Sequence, residues 1–318
     1  ILREKSIVKN AVFNVLYRIL NMFFPLVTSI YVSHVLLAEG VGKVSSAQNI
    51  VQYFILLAPL GISNYGIREI AKRRADKEEA DKIFTELVII NSISTSICVL
   101  VYYGLIFFHP AFRSERNLYL AAGLPVILNY INIDWYYKGY EEYVYISIRS
   151  ALIKLISLAA ILIFVRKKED YVYYALIYSF GIVGNYIFNV LNLRKKKIRF
   201  TFTTINCVQH LRYLLVLLFS CIAIELYTLL DTTMLSFQCS EKIVGLYSNS
   251  IKLERIIVEL IAAIGGVLLP RLSYYHKCGR EKEAKKLVET IITIMYSFAF
   301  PCAAGIFVLA DVLIPLLF

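Results

Sequence analysis

The chain has 318 residues, 58% of them hydrophobic, with a mean hydropathy of +0.64 and a formal net charge of +11. No single soluble core of this size hides that much apolar surface, so a globular soluble protein is excluded and a polytopic membrane protein is expected. The basic excess does not mark a nucleic-acid partner: it collects in short gaps between apolar runs, where membrane topology and anionic headgroups account for it.

Apolar runs of about the 20 residues needed for a helical span fall at 10–33, 44–67, 84–108, 118–137, 147–165, 171–193, 212–237, 243–269 and 287–309. A tenth is expected to begin near Val312. Barrel strands would instead alternate over about ten residues. The first run is expected to be retained, since it carries Arg18 and no small-residue cleavage site follows it.

The N-terminus and the gaps 68–83, 138–149, 194–212 and 271–286 hold 23 Lys and Arg, against seven in the alternate gaps. The positive-inside rule therefore places the N-terminus in the cytoplasm. The three cations Arg166, Lys167 and Lys168 run against this assignment and do not outweigh it.

Four cations sit inside the spans: Arg18, Lys154, Lys252 and Arg255. A charge at such a depth costs roughly 2.5–3.5 kcal/mol even on a lenient insertion scale. Each lies on a polar stripe of helical period. In span 1 the stripe is Asn10, Asn14, Arg18, Asn21, Pro25 and Thr28; Gln48 and Gln52 continue it in span 2, Ser150, Lys154 and Ser157 in span 5. Span 6 contributes Tyr178, Asn185, Asn189 and Asn192, and span 8 contributes Ser248, Lys252, Arg255 and Glu259. Such stripes either form helix-to-helix contacts or line a water-filled path. Charge on helix after helix favours a central cavity. The carboxylates Asp134, Glu225, Asp231, Glu254 and Glu259 leave two readings open, ion pairing throughout or cations that meet an anionic substrate. Asp134 sits beside Trp135, Tyr136 and Tyr137, as an interfacial aromatic belt would have it.

The segment Glu78-Glu79-Ala80-Asp81-Lys82-Ile83-Phe84 is echoed by Lys282-Glu283-Ala284-Lys285-Lys286-Leu287-Val288, 204 residues later. Six spans fit that offset, which preserves orientation and implies two lobes related by a pseudo-two-fold along the membrane normal. The expected fold is an all-α bundle of two pseudo-symmetric six-helix lobes around a central cavity. Residues 1–193 make the N-terminal lobe, 194–211 a cytoplasmic linker, and 212–318 a partial second lobe. A chain starting at Ile1 and ending in Ile314-Pro315-Leu316-Leu317-Phe318 is expected to be a fragment.

The six cysteines show no CxxC or metal-ligand spacing, and His34, His109, His210 and His276 lie in gaps, where they read as interfacial residues. No HExxH, P-loop, GxSxG or zinc pattern occurs. No metal and no catalytic residue is therefore expected.

Several stretches together resemble a known family. They are Asn64-Tyr65-Gly66-Ile67-Arg68-Glu69-Ile70-Ala71, Asp134-Trp135-Tyr136-Tyr137-Lys138-Gly139-Tyr140-Glu141, Leu230-Asp231-Thr232-Thr233-Met234-Leu235, Val244-Gly245-Leu246-Tyr247-Ser248-Asn249 and Leu269-Pro270-Arg271-Leu272-Ser273. They look like the polysaccharide, or O-antigen, flippases of the Wzx type, within the multidrug/oligosaccharidyl-lipid/polysaccharide exporter superfamily. The resemblance implies a bacterial inner-membrane transporter, not an enzyme. Its cargo would be an undecaprenyl-pyrophosphate-linked oligosaccharide unit for O-antigen, capsule or exopolysaccharide, carried by alternating access. Arg18, Lys154, Lys252 and Arg255 would meet the pyrophosphate or acidic sugars, and Asn14, Asn21, Gln52, Asn185 and Asn189 the sugar hydroxyls. The linker would absorb the rocking of the lobes. Asp231, Glu225 or Glu259 would couple a proton or sodium ion, with no other cofactor, and partners would include membrane lipids, a polysaccharide polymerase and assembly proteins. The family pattern of two six-span lobes is cut short here. A peptidoglycan-lipid flippase or multidrug antiporter is the alternative within the superfamily, although embedded cations suit no carrier of organic cations. A membrane glycosyltransferase or polymerase would need a large extramembrane loop, and a structural scaffold would not explain the charged stripes.

Overall fold

A computed structural model describes residues 7–196, 198, 200–201, 205–255, 257–258 and 280–317. Among the described residues there is no strand, and the chain is an all-α bundle. Six stretches are long and apolar enough to cross a membrane: Val12–Arg73, Lys77–Phe108, Tyr143–Phe164, Lys168–Arg194, Val208–Gln238 and Glu281–Val312. The chain is a multi-pass membrane protein.

Helix α1 (Ile7–Leu57) covers the first expected span and most of the second. No loop occupies 34–43. One non-helical residue, Leu37 at φ 56 and ψ 176, interrupts the helix, a conformation that a branched side chain adopts only at a cost of about 1–3 kcal/mol. The contacts show that the two halves run in opposite directions. Going along α1, Ser33 meets Asn249 and then Ala38 lies on Gly245; beyond the break, Gly42 lies on Glu241, Ser46 meets Ser236 and Asn49 meets Thr233. The helices carrying these partners, α9 (Val208–Gln238) and α10 (residues 241–255), themselves form a hairpin, with Tyr247 donating to Asp231 at 2.9 Å. Within the first half, Pro25 lacks an N–H and leaves the Asn21 carbonyl without its helical partner. The neighbouring Thr28 hydroxyl bonds the Phe24 and Pro25 carbonyls.

The second expected span is closed by a turn at Leu60 and Gly61, both at positive φ, before α2 (Ile62–Arg73) resumes. Helix α3 (Lys77–Phe108) starts under the Asp76 side chain, which accepts from the Glu78 and Glu79 amides at 3.1 and 3.2 Å. The expected fourth span is not one helix. It is divided into α4 (Arg116–Ala122), α5 (Leu124–Ile127), a 3₁₀ turn at Leu128–Ile131 and α6 (Asp134–Gly139). Helices α7 (Tyr143–Phe164) and α8 (Tyr171–Lys196) match the fifth and sixth spans.

Only the first part of the eighth span, α10, is described. The expected start of a tenth span near Val312 is instead the continuing ninth helix, because α11 (Glu281–Leu317) runs unbroken past it. Both copies of the sequence repeat open a long helix, α3 and α11.

Two apolar cores hold the helices before the linker. One joins Val32, Leu36, Val44 and Val51 of α1 to Tyr102, Leu118 and Ile161. The other, at the opposite end, joins Ile62 and Ile70 of α2 to Phe84, Leu87, Trp135 and Tyr137. Gly66 is required there, since a Cβ on it would sit 2.5 Å from the Trp135 ring. The polar stripes fall between these two cores.

Candidate functional site

Two adjoining cavities open between the cores. The first, of about 360 Å³, lies among α1, α8, α9 and α10. Lys252 and Arg255 of α10 line it, as does Glu225 of α9. Among the described residues neither cation makes an ion pair; the Lys252 ammonium donates to Asn249 Oδ1 at 3.2 Å. Asn21, Gln48 and Gln52 of α1 supply amides, and Gln48 Nε2 is buried without a hydrogen-bond partner. A buried donor left open in this way costs about 1–3 kcal/mol unless something fills the cavity.

The second cavity, of about 370 Å³, lies among α1, α7 and α8 and shares Asn21, Pro25, Thr28, Tyr174 and Tyr178 with the first. Lys154 projects into it, donating to the Leu20 carbonyl at 3.0 Å and lying 5.1 Å from the Phe24 ring centre. Ser150 donates to Asn185 Oδ1 at 3.1 Å, and the Ser157 hydroxyl is buried without a partner. Lys154 thus lies in one compartment and Lys252 and Arg255 in the other, and the two meet at Asn21 and the two tyrosines.

The end of the second cavity holds an ion cluster. Arg149 Nη1 lies 3.1 Å from Asp134 Oδ1 and bonds Asn189 Oδ1, while Asn189 Nδ2 donates to Asp134 at 2.5 Å. The Arg149 side chain is 2% exposed, and its Nε and Nη2 find no hydrogen-bond partner. Two expectations are corrected. Asn189 is wholly buried with its amide committed to the ion pair, so it is not available to a sugar hydroxyl. Asp134 is a half-buried carboxylate of this ion cluster, and its neighbours Trp135, Tyr136 and Tyr137 are core residues, not an interfacial belt.

The remaining expected residues divide as follows. Asn21, Gln52, Lys252, Arg255 and Glu225 line the first cavity; Asn21, Lys154 and Asn185 line the second. Asn14 lines neither, and Asp231 is exposed on α9, bound to the Tyr247 hydroxyl, which removes it from the cavity wall. The Arg18 side chain and Glu259 lie outside the described residues.

Beyond the cavities the helices close on one another at the Leu37 end. Asn49 donates to Thr233 Oγ1 at 2.7 Å, Tyr53 meets the same hydroxyl at 2.7 Å, and Asn249 donates to Ser33 at 2.9 Å. Ser46 donates to Glu241 at 3.3 Å. Burial pushes the Glu241 carboxyl up from its ordinary value, against the opposing pull of that hydrogen bond and the Lys43 charge. Backbones touch here: a Cβ on Gly42 would sit 1.7 Å from the Glu241 carbonyl oxygen, and one on Gly245 1.9 Å from that of Ala38.

At the other end the linker is fastened. Buried Glu86 accepts from His210 Nε2 at 2.8 Å and from the Asn206 amide at 2.8 Å, and His210 Nδ1 is 2.8 Å from the Tyr65 hydroxyl. His210 is therefore a core residue, contrary to its interfacial reading. Sequence reasoning passed over Glu86 and Arg149. The signal for Arg149 was its position beside Ser150 on the buried face of α7; nothing local marked Glu86.

A family model described as "Polysaccharide biosynthesis protein" matches residues 7–276. A curated relative from Shigella dysenteriae, named "Putative O-antigen transporter", is 26% identical over 258 residues, 80% of this chain. The chain spans 64% of that relative's length. No solved structure matches significantly. With the family model covering most of the bundle and both cavities, the chain belongs to the polysaccharide biosynthesis protein family.

Proposed function

We propose that the protein is a polysaccharide exporter, a flippase that moves a lipid-linked oligosaccharide across the bacterial inner membrane by alternating access between two lobes. The observation that carries this reading is the first cavity, where Lys252 and Arg255 line a polar space without ion-pair partners among the described residues. Unpaired cations in a low-dielectric site suit a cargo that brings its own negative charge. An undecaprenyl-pyrophosphate-linked glycan does so, and its sugar hydroxyls suit the amides of Asn21, Gln48, Gln52 and Asn185.

With the N-terminus cytoplasmic, the Leu37 end faces outward, and the contacts there seal the cavity from outside. The cavities then face the cytoplasm, ready to load. Glu225, the carboxylate on the wall of the first cavity, is the coupling group for a proton or sodium ion. Acting on a lipid-linked glycan made and consumed by other proteins, the exporter would work beside a polysaccharide polymerase and assembly proteins and perform no catalysis itself.

The test is translocation of a lipid-linked oligosaccharide in proteoliposomes by the full-length protein, with Lys252→Gln and Arg255→Gln combined. A loss of at least about tenfold, or 1.4 kcal/mol, is expected. Undiminished flipping would remove the basis of the reading. Collapsing proton and sodium gradients separately identifies the coupling ion, and Glu225→Gln should abolish the dependence.

A further inference from the structure

A third cavity, of about 430 Å³, lies on the seam between α2 and α9 and is lined by Arg68, Arg212, Tyr213, Val216 and Leu217. It is separate from the two cavities above and sits at the end of the bundle that carries the basic linker. Its two arginines come from opposite sides of that linker, one before it and one after.

Two guanidinium groups lining one cavity concentrate positive charge there, which an anion lying between them would offset. The protein supplies little. Arg68 Nε is 3.5 Å from Glu69, but the Glu69 oxygens are already taken by Lys72 at 2.9 Å and by Arg73. Arg212 makes no ion pair among the described residues. The Arg68 guanidinium is held over the Tyr65 ring, 5.6 Å from its centre, and that ring stacks on Tyr213. The side chain is thereby oriented while its planar donor fork stays available, the geometry that suits phosphate.

The same groove has an apolar flank. Val216 is 61% exposed and Phe219, one turn from it on α9, 66%. On a membrane-spanning helix these side chains meet acyl or prenyl chains, next to the arginines. A free phosphate ion has no use for such a flank; a phosphate carried on a lipid uses both halves.

The geometry points to a lipid-phosphate site between Arg68 and Arg212, in which the headgroup phosphate of a leaflet lipid bridges α2 to α9. The site does not depend on the proposed cargo. A bound phosphate would hold the two helices together in the arrangement seen here, with the Asn64–Cys221 contact of 3.6 Å one turn away on the same seam.

The experiment is native mass spectrometry of the full chain released from phosphate-free dodecyl maltoside micelles, with added phosphatidylglycerol, undecaprenyl monophosphate or inorganic phosphate. Retention of either lipid phosphate by the wild type is expected, with at least a tenfold loss in the Arg68→Gln/Arg212→Gln variant. The Arg68→Lys/Arg212→Lys variant, which keeps the charge, should retain an intermediate fraction and guards against a folding defect. Preference for undecaprenyl monophosphate would make this a docking point for the cargo lipid, and preference for phosphatidylglycerol a structural lipid site; both support the assignment. Equal retention by the glutamine variant, or binding of inorganic phosphate as tight as that of the lipids, would overturn it.

Discussion

Glu86 and His210 lie 124 positions apart in sequence and 2.8 Å apart in space, with side chains 0% and 4% exposed. They join the first third of α3 to the start of α9, so the end of the linker, Asn206 to His210, is held against the first group of helices. Any movement of α9 against the first helices must then bend beyond His210. A buried hydrogen-bonding group left without its partner costs about 1–3 kcal/mol. Glu86→Ala, which also strands the Asn206 amide, should lose that much in thermal unfolding. Glu86→Gln keeps an acceptor and should lose less. A loss below about 1 kcal/mol for the alanine variant would contradict the clamp.

Asp134 pairs with the buried guanidinium of Arg149, and here the remedy is part of the prediction. Asp134→Asn leaves a buried guanidinium whose Nε and Nη2 already have no partner, so a loss of about 3–5 kcal/mol is expected. Combining it with Arg149→Gln removes the uncompensated charge. The double variant should therefore be more stable than Asp134→Asn alone, as a double-mutant cycle on melting would show. Additive losses would mean that the two groups do not interact.

These pairs also show what hydropathy conveys. The apolar runs that became α3, α7, α8 and α9 were legible because a lipid-facing helix must be apolar over its whole length. The fourth span was not, because an average over 118–137 is blind to Gly123 and Pro125, which divide it. The polar stripes located the cavities through Asn21, Gln52, Lys154 and Lys252. They misplaced Asn189, since periodicity finds the polar face of a helix without telling whether water or a buried ion pair lies against it. Arg149 was read as a topology signal because it closes the gap 138–149, and the pairing of Glu86 with His210 was missed because the two lie more than 100 residues apart.

Gly42 carries a prediction about the seal at the Leu37 end, which the proposed orientation places outside. A Cβ there would overlap the Glu241 carbonyl, and overpacking of this kind costs about 1–3 kcal/mol. The cost falls on the closed arrangement alone, so Gly42→Leu should shift the lobes open on that side by about 5–150-fold. The measurement is labelling of Gln52→Cys, in a background without the native cysteines, by a membrane-impermeant thiol reagent added outside. Faster labelling in the leucine variant is expected. Labelling equal to that with Gly42 would show that the backbones do not close on one another there.

Glu241 makes the same seal sensitive to pH. Its carboxyl is raised above the ordinary value by burial, with Glu115 and Glu39 adding repulsion, while the Ser46 hydroxyl and the Lys43 ammonium oppose the shift. For an acid raised in the closed state, the neutral form is the one the closed state favours. Its contribution is full below the ordinary carboxylate value and is lost as pH rises through the raised value. The seal should accordingly tighten on acidification and loosen toward neutrality. Spin labels at the exposed positions His34→Cys and Leu246→Cys report the spacing between α1 and α10 by pulsed electron resonance. The short-distance population should grow as pH falls from 7 through the carboxylate range in the Glu241 protein. In Glu241→Gln, which is neutral throughout, it should stay high and flat, whereas an unchanged pH response in that variant would assign the titration to another group.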